Sequence, residues 1–291
     1  MESIMTKHRI LIAGGDTRQL YCAERLAREY NVRVLGFDRE FFPEDSALTD
    51  ALPSEKGSFD CAVLPVPPLD DKGNIYTPCF RGEISAKSVS ELLSEEGCVF
   101  AGRADDRLRR AMQGRSICDY LLREELNLKN AVPTAEGAVQ LALEELPVTL
   151  SGLDVLIVGL GRIGTALAEI LKGFGARVTA AVRDTRGAAK SKLHGISSVP
   201  VKRIDGRYGL VFNTVPALIL NRDILSRFRR DTLFIDLASK PGGIVPEAAS
   251  ELGLRVVWAL GLPGKTAPVT AGEIIAETVS AVLAERGEAV E

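Results

Sequence analysis

The chain has 291 residues, 46% of them hydrophobic and 26% charged, with a formal net charge of −3 at pH 7. This length and apolar content predict two globular domains of ordinary size. The charge argues against a nucleic-acid-binding protein, which needs a basic face, because the most basic stretch, residues 103–115, also contains acids and is interpreted as a solvated helix face.

Other classes are also disfavoured. No run reaches the ~18 apolar residues of a membrane span, and the N-terminus lacks the apolar core of a signal peptide. The five cysteines are scattered without C-x-x-C spacing, and the two histidines lie far apart. We therefore expect a cytoplasmic protein with reduced thiols, no membrane segment and no metal site.

Strand and helix patterns alternate along the chain, as is typical of α/β folds with parallel sheets. Short apolar segments in the first part predict four strands, and the segment 67–83 is interpreted as a long loop or small hairpin. Residues 109–130 predict one helix, and a second is expected to start with Thr134 as its N-cap. The four strands are expected within residues 9–15, 33–38, 61–66 and 98–102.

A second strand–helix series follows, with five predicted strands and a final amphipathic helix. We predict two Rossmann-like, doubly wound domains with a cleft between them, an architecture that resembles the 2-hydroxyacid dehydrogenases. The first domain is expected to span residues 1–132 and the second residues 133–269, with helix 270–291 packing back on the first. The five strands are expected within residues 154–160, 177–182, 210–215, 232–238 and 255–260.

A glycine motif connects the first strand and helix of the second series. Gly159, Gly161 and Gly164 give G-x-G-x-x-G, with Arg162 and Ile163 between the last two glycines. In this context the glycines allow a tight turn, close approach to a pyrophosphate and close helix–strand packing. The motif predicts dinucleotide binding.

The end of the following strand bears on which dinucleotide binds. Asp184 lies about 20 residues after the motif, where an acid binds the ribose of NAD, but the strand tip itself is Val182. Arg183, Thr185 and Arg186 flank the acid, and a guanidinium suits a 2′-phosphate. We favour NADP. The alternative cofactor is NAD. A further interpretation is that Arg183 and Arg186 are solvated loop charges and Asp184 is only a helix N-cap.

Further candidates lie in loops after predicted strands, where α/β proteins bind ligands. For the cofactor these are Asn213, Thr214, Val215, Leu237, Ala238 and Gly261. In the first domain, the turn with Gly15, Asp16, Arg18 and Gln19 is a candidate substrate anchor, because a helix N-terminus and an arginine both favour a carboxylate. For each residue, a role in the turn alone is the alternative.

The chain resembles the A subunit of dipicolinate synthase from spore-forming bacteria. The resemblance rests on GGDTRQ, VPTAEG, VGLGRIG, DLASKPGG and GLPGKTAPVTAG, which occur in that order. It implies NAD(P)-dependent formation of dipicolinate from 4-hydroxytetrahydrodipicolinate or the derived dihydro compound. It also implies a partner, the flavoprotein-like B subunit, and a place in the mother cell cytoplasm.

The predicted chemistry assigns roles to a few side chains. A planar dicarboxylate needs two anchors, for which Arg18 and Lys240 are candidates. With no histidine in place, Ser239 and Lys240 are favoured for proton transfer, ahead of Asp16, Glu136 and Asp236. The alternatives are a 2-hydroxyacid-type dehydrogenase, although its catalytic histidine is missing from LGLPGKTAPVT, or a cofactor-binding subunit without catalysis. The sequence is also compatible with a homo-oligomer.

Overall fold

A computed structural model describes residues 8–288 and divides the chain into two compact units. The N-terminal unit comprises Met1–Lys129 with Ala267–Glu291, and the central unit is Asn130–Thr266. Each division falls three residues before the one expected from the sequence. In the part of the chain that the structure describes, no helix is both long and apolar enough to cross a bilayer.

The N-terminal unit is built on a five-stranded parallel sheet in the order β2-β1-β3-β4-β5. Its strands are β1 (Arg9–Ala13), β2 (Asn31–Leu35), β3 (Phe59–Val63), β4 (Leu93–Ala101) and β5 (Ile117–Asp119). Its helices are α1 (Thr17–Ala27), α2 (Ala86–Leu92), α3 (Asp106–Ala111) and α10 (Pro268–Glu288). This strand order is the flavodoxin-like one, whose switch point lies between β1 and β3.

Helices cover both faces of this sheet. Apolar residues of α1 and α10 form one core with the sheet, and those of α2 and α3 form a second core on the other face. The final helix crosses α1 closely, since a Cβ at Gly272 would lie only 2.4 Å from the carbonyl oxygen of Arg18.

The central unit is built on a six-stranded parallel sheet in the order β11-β10-β9-β6-β7-β8. Renumbered within the unit, this is the Rossmann order, with its switch point between β6 and β9. The strands are β6 (Asp154–Val158), β7 (Arg177–Val182), β8 (Ser197–Pro200), β9 (Leu210–Asn213), β10 (Leu233–Asp236) and β11 (Arg255–Trp258). The helices are α5 (Arg162–Gly173), α6 (Thr185–Leu193), α7 (Arg222–Leu225), α8 (Pro246–Glu251) and α9 (Leu262–Thr266).

The segment 106–145 differs from the sequence prediction. A strand, β5, interrupts the first expected helix, and α4 (Glu124–Glu145) is one continuous helix with Pro133 inside it. Thr134 is not an N-cap, because its hydroxyl donates to the Asn130 carbonyl one turn earlier. Proline removes one helical hydrogen bond, but Ala131 and Ala135 on either side are buried, and their packing keeps the helix intact.

Candidate functional site

The three motif glycines of the central unit lie between β6 and α5 and meet different surroundings. Gly159 has φ +88°, and a Cβ there would lie 2.5 Å from a Val215 methyl carbon. A Cβ at Gly164 would lie 2.1 Å from the Gly159 carbonyl oxygen. A Cβ at Gly161 would meet no heavy atom within 4 Å. The first glycine therefore forms the turn, the third packs helix on strand, and the second leaves room beside the backbone.

The helix N-terminus at this turn is available to an anion. Gly161 is the N-cap of α5 and has no side chain with which to cap the helix. Arg162 is exposed and Ile163 is half-buried in the first turn. The positive end of the helix dipole and its N–H groups favour phosphate at such a position.

A cavity of about 910 Å³ adjoins the turn. Apolar residues after β8 and β9 contribute to its lining, among them Val201 and Ile219. Its cationic lining residues in the described chain are Arg183, Arg186, Lys190 and Lys202, and its acidic one is Asp184. The two lysines were not singled out from the sequence, because neither belongs to the motif or stands at the strand tip.

The residues at the tip of β7 are those from which the sequence predicted the choice between the two nicotinamide dinucleotides. Val182 is 8% exposed, whereas the Arg183 side chain is 93% exposed. Asp184 is the N-cap of α6, where its Oδ1 accepts a hydrogen bond from Gly187 N at 2.9 Å. One carboxylate oxygen is thus already engaged by the helix that Thr185 begins.

The loops after β9 and β10 are joined by a buried polar network. The Asn213 side-chain amide donates to Asp236 Oδ1 at 2.8 Å and to the Val215 carbonyl at 3.0 Å. Asp236 also accepts hydrogen bonds from the backbone amides of Ala238, Gly243 and Ile244. Because these four bonds engage both of its oxygens, the Asp236 carboxylate holds the loops in place, which argues against the role in proton transfer considered from the sequence.

The other loop candidates differ in exposure. The Thr214 hydroxyl donates to the carbonyls of Val158 and Gly159, which ties the β9 loop to the glycine turn. Leu237 and Ala238 are buried, and Gly261 is exposed with φ +70°.

Ser239 and Lys240 lie on an exposed turn of the central unit. The turn is closed by a hydrogen bond from Gly242 N to the Ser239 carbonyl at 2.8 Å. Trp258 supports it, since its indole N–H donates to the Ala238 carbonyl at 2.9 Å. Both side chains are accessible to a ligand.

In the N-terminal unit, Asp16 orients Arg18. The carboxylate accepts from Arg18 Nε at 2.8 Å and from Nη2 at 2.7 Å, and it also caps α1. Burial acts to lower the pKa of Arg18, but the hydrogen bonds and charge of Asp16 outweigh burial, so the pKa is raised. Arg18 is therefore a charged group that Asp16 holds in one orientation. This pairing also sets the direction of the remaining N–H bonds of the guanidinium.

The remaining residues of this turn are largely engaged by the protein. Gly15 is buried and its N–H donates to the Tyr76 carbonyl at 2.8 Å. Gln19 is 2% exposed, and its side-chain nitrogen donates to the Leu64 carbonyl. The Tyr120 hydroxyl donates to the same carbonyl, and burial raises the pKa of this phenol. Gln19 and Tyr120 therefore fix the end of β3 at the switch point, a role for Tyr120 that sequence patterns did not reveal.

Two protein-family models match consecutive parts of the chain. Residues 9–121 match the N-terminal domain of the A subunit of dipicolinate synthase, and residues 125–249 match the NAD-binding domain of D-isomer-specific 2-hydroxyacid dehydrogenases. The glycine turn at the switch point of a Rossmann sheet is the arrangement that binds nicotinamide dinucleotides. The chain is thus a dehydrogenase-type oxidoreductase with a domain that binds a nicotinamide cofactor.

Individual relatives narrow this class. The dipicolinate synthase A chain of Bacillus subtilis (strain 168) is 32% identical, over 97% of this chain and 98% of the relative. A crystal structure of the Bacillus subtilis protein has a TM-score of 0.85 at 28% identity and covers 100% of both chains. The corresponding structure from Bacillus halodurans has a TM-score of 0.87 at 27% identity, over 97% of this chain and 99% of that one. This chain belongs to the family of dipicolinate synthase A subunits.

Proposed function

We propose that this chain oxidises dihydrodipicolinate to dipicolinate by hydride transfer to NADP. The observation that supports this proposal most directly is the cavity beside the glycine turn. It occurs in a chain that matches the A chain of a dipicolinate synthase over 97% of its length. One hydride passes from the ring to C4 of the nicotinamide, and one proton leaves, so the products are dipicolinate, NADPH and H⁺. The dihydro compound arises from 4-hydroxytetrahydrodipicolinate by loss of water.

The preference for NADP over NAD is supported by the cations that line the cavity. Arg183 and Arg186 follow the apolar tip of β7 and line the cavity, whereas the carboxylate of Asp184 is held at the cap of α6. Paired guanidinium N–H groups bind phosphate oxygens with charge-assisted hydrogen bonds. NAD binding would instead require acceptors for two ribose hydroxyls.

Arg18 and Lys240 are our candidates for binding the two substrate carboxylates. Arg18 is held by Asp16, so little conformational entropy is lost when it binds an anion. Gly15, Asp16 and Gln19 shape and fix this turn. Ser239 and Lys240 are the candidates for accepting the ring proton, because they are exposed on a turn after β10.

The proposed setting follows from the relatives. Their naming implies at least one further chain in the synthase, which we take to be a flavoprotein-like B subunit that takes part in the same synthesis. We further propose that the protein acts in the mother cell cytoplasm, where it would make dipicolinate for the spore.

A second candidate function, a 2-hydroxyacid dehydrogenase, is favoured by the family match at residues 125–249. Those enzymes use a histidine paired with a carboxylate. His194 does pair with Glu169, at 3.0 Å, but it follows α6 at the helix C-terminus. Helices run antiparallel to the strands in this fold. The pair therefore lies near the amino ends of the strands, whereas the glycine turn lies at their carboxyl ends. The dipicolinate reaction is therefore preferred.

Absorbance at 340 nm separates the two functions. The purified chain, alone and with the B subunit, would be given NADP with dihydrodipicolinate generated in situ, and NADPH with a panel of simple 2-keto acids. We expect NADP reduction with the cyclic substrate and no NADPH oxidation with the keto acids. The reverse pattern would identify a 2-hydroxyacid dehydrogenase, and tight NADPH binding without turnover in any mixture would identify a non-catalytic subunit.

A further inference from the structure

The cavity beside the glycine turn is lined by a lysine that no sequence motif marks. Lys190 lies on α6, and its ammonium donates to the Leu160 carbonyl at 2.9 Å. Leu160 is the residue between Gly159 and Gly161. The Lys190 side chain therefore spans from α6 to the glycine turn, and this residue is half-buried in the lining of the cavity.

A second lysine lines the same cavity from a different element. Lys202 follows β8, and β8 pairs with β7 so that Pro200 lies beside Val182. Arg183 and Lys202 therefore extend from the ends of adjacent parallel strands. Lys202 is exposed, and its carbonyl is held by Arg227 at 3.0 Å.

These positions give the cavity a charge that suits a phosphate. Arg183, Arg186, Lys190 and Lys202 are opposed by Asp184 among the described lining residues, and Asp184 accepts the α6 capping hydrogen bond. A neutral ribose diol gains little from four cations, whereas a phosphate monoester carries close to two negative charges and strong acceptor oxygens.

We propose that Lys190 and Lys202 complete a binding site for the adenosine 2′-phosphate, and that Lys190 is its main specificity determinant. This inference rests on the proposed use of NADP. Lys190 is already held in place by Leu160, so its ordering is largely complete before binding. The Arg183 side chain is 93% exposed and loses conformational freedom when it binds. Lys190 therefore contributes more selectivity than Arg183.

The test uses adenosine 2′,5′-bisphosphate and 5′-AMP, which differ only in the 2′-phosphate, in calorimetric titrations of the full chain. Lys190→Met and Lys202→Met keep an apolar stem without the charge, and Lys192→Met is the control, because Lys192 is exposed on the same helix and is not among the lining residues. We expect wild type to prefer the bisphosphate, and Lys190→Met to reduce that preference about tenfold or more. Lys202→Met should reduce it less, Lys192→Met should not change it, and Lys190→Arg should retain most of it.

The outcomes separate this inference from the proposed cofactor. Equal binding of both nucleotides by wild type would overturn the NADP assignment itself. A wild-type preference that survives in Lys190→Met and Lys202→Met would leave NADP standing and overturn the lysine site. An equal loss of both nucleotides in Lys190→Met would show that Lys190 only supports the glycine turn, which also overturns its role in selectivity.

Discussion

Arg183 and Asp184 are adjacent in the chain, but the fold holds them differently. Asp184 caps α6, while the Arg183 guanidinium is exposed and lies 3.8 Å from the Asp184 carboxylate. Both residues could be identified from the sequence as candidates for cofactor binding, because both follow an apolar strand tip. It did not reveal Lys190, because that contact depends on how α6 packs beside the glycine turn.

At the residue scale, replacing both Arg183 and Arg186 with alanine should weaken NADP binding about tenfold or more, because charge-assisted hydrogen bonds to phosphate are lost. NAD affinity should stay within about twofold, since it has no 2′-phosphate. Fluorescence or calorimetric titration with each dinucleotide measures the ratio. A parallel decrease in affinity for both dinucleotides would contradict the phosphate contact.

The Asp16–Arg18 pair supports a second residue-scale prediction. Arg18→Ala should raise the KM for the dicarboxylate substrate about tenfold or more, since a carboxylate contact is lost. The dissociation constant for NADP should be unchanged, because the glycine-turn cavity belongs to the central unit. Arg25→Ala is a matched control on the same helix, where Arg25 pairs with Glu29 on the surface. An Arg18→Ala variant with normal KM and weakened NADP binding would remove Arg18 from the substrate site.

At the scale of elements, strands with continuous apolar character and helices with strong amphipathic patterns were predictable. β6 is buried along four of its five residues, as expected for a central parallel strand. β8 was missed because its residues, SSVP, are largely exposed and show no apolar alternation. The expected helix start at Thr134 is wrong, because burial of the alanines around Pro133 keeps α4 continuous despite the low helix propensity of proline.

The β6–turn–α5 element supports a paired prediction. Gly164→Ala should lower stability by about 2 kcal/mol or more, because its Cβ would overlap the Gly159 carbonyl and force α5 away from the turn. Gly161→Ala should leave the melting temperature within a few degrees of wild type, since its Cβ has space in the unliganded chain, yet it should weaken dinucleotide binding by obstructing the pyrophosphate. Thermal melts with and without NADPH measure both effects. If the two variants had comparable melting temperatures and comparable NADPH affinities, the result would contradict the separate roles of Gly164 in packing and of Gly161 in binding.

At the scale of the whole molecule, alternation of strands and helices was enough to predict two doubly wound units, but not their different strand orders. The central sheet has the Rossmann order and the N-terminal sheet the flavodoxin-like order. Short apolar strands look alike in sequence, and pairing partners such as β1 with β3 are set by long-range packing. The motif glycines were identifiable because their spacing is local. The support of Arg18 by Asp16 and the buried Asn213–Asp236 network required the folded chain.

The central claim is that hydride leaves the dihydropyridine ring and reaches NADP in the site of this chain. The most direct measurement is the stoichiometry of products, with NADPH quantified at 340 nm and dipicolinate by chromatography in the same reaction. Wild type with its B subunit is predicted to form one NADPH for each dipicolinate, and Gly161→Ala to slow both together. Dipicolinate formed without NADPH, or at the same rate when NADP is omitted, would contradict the account.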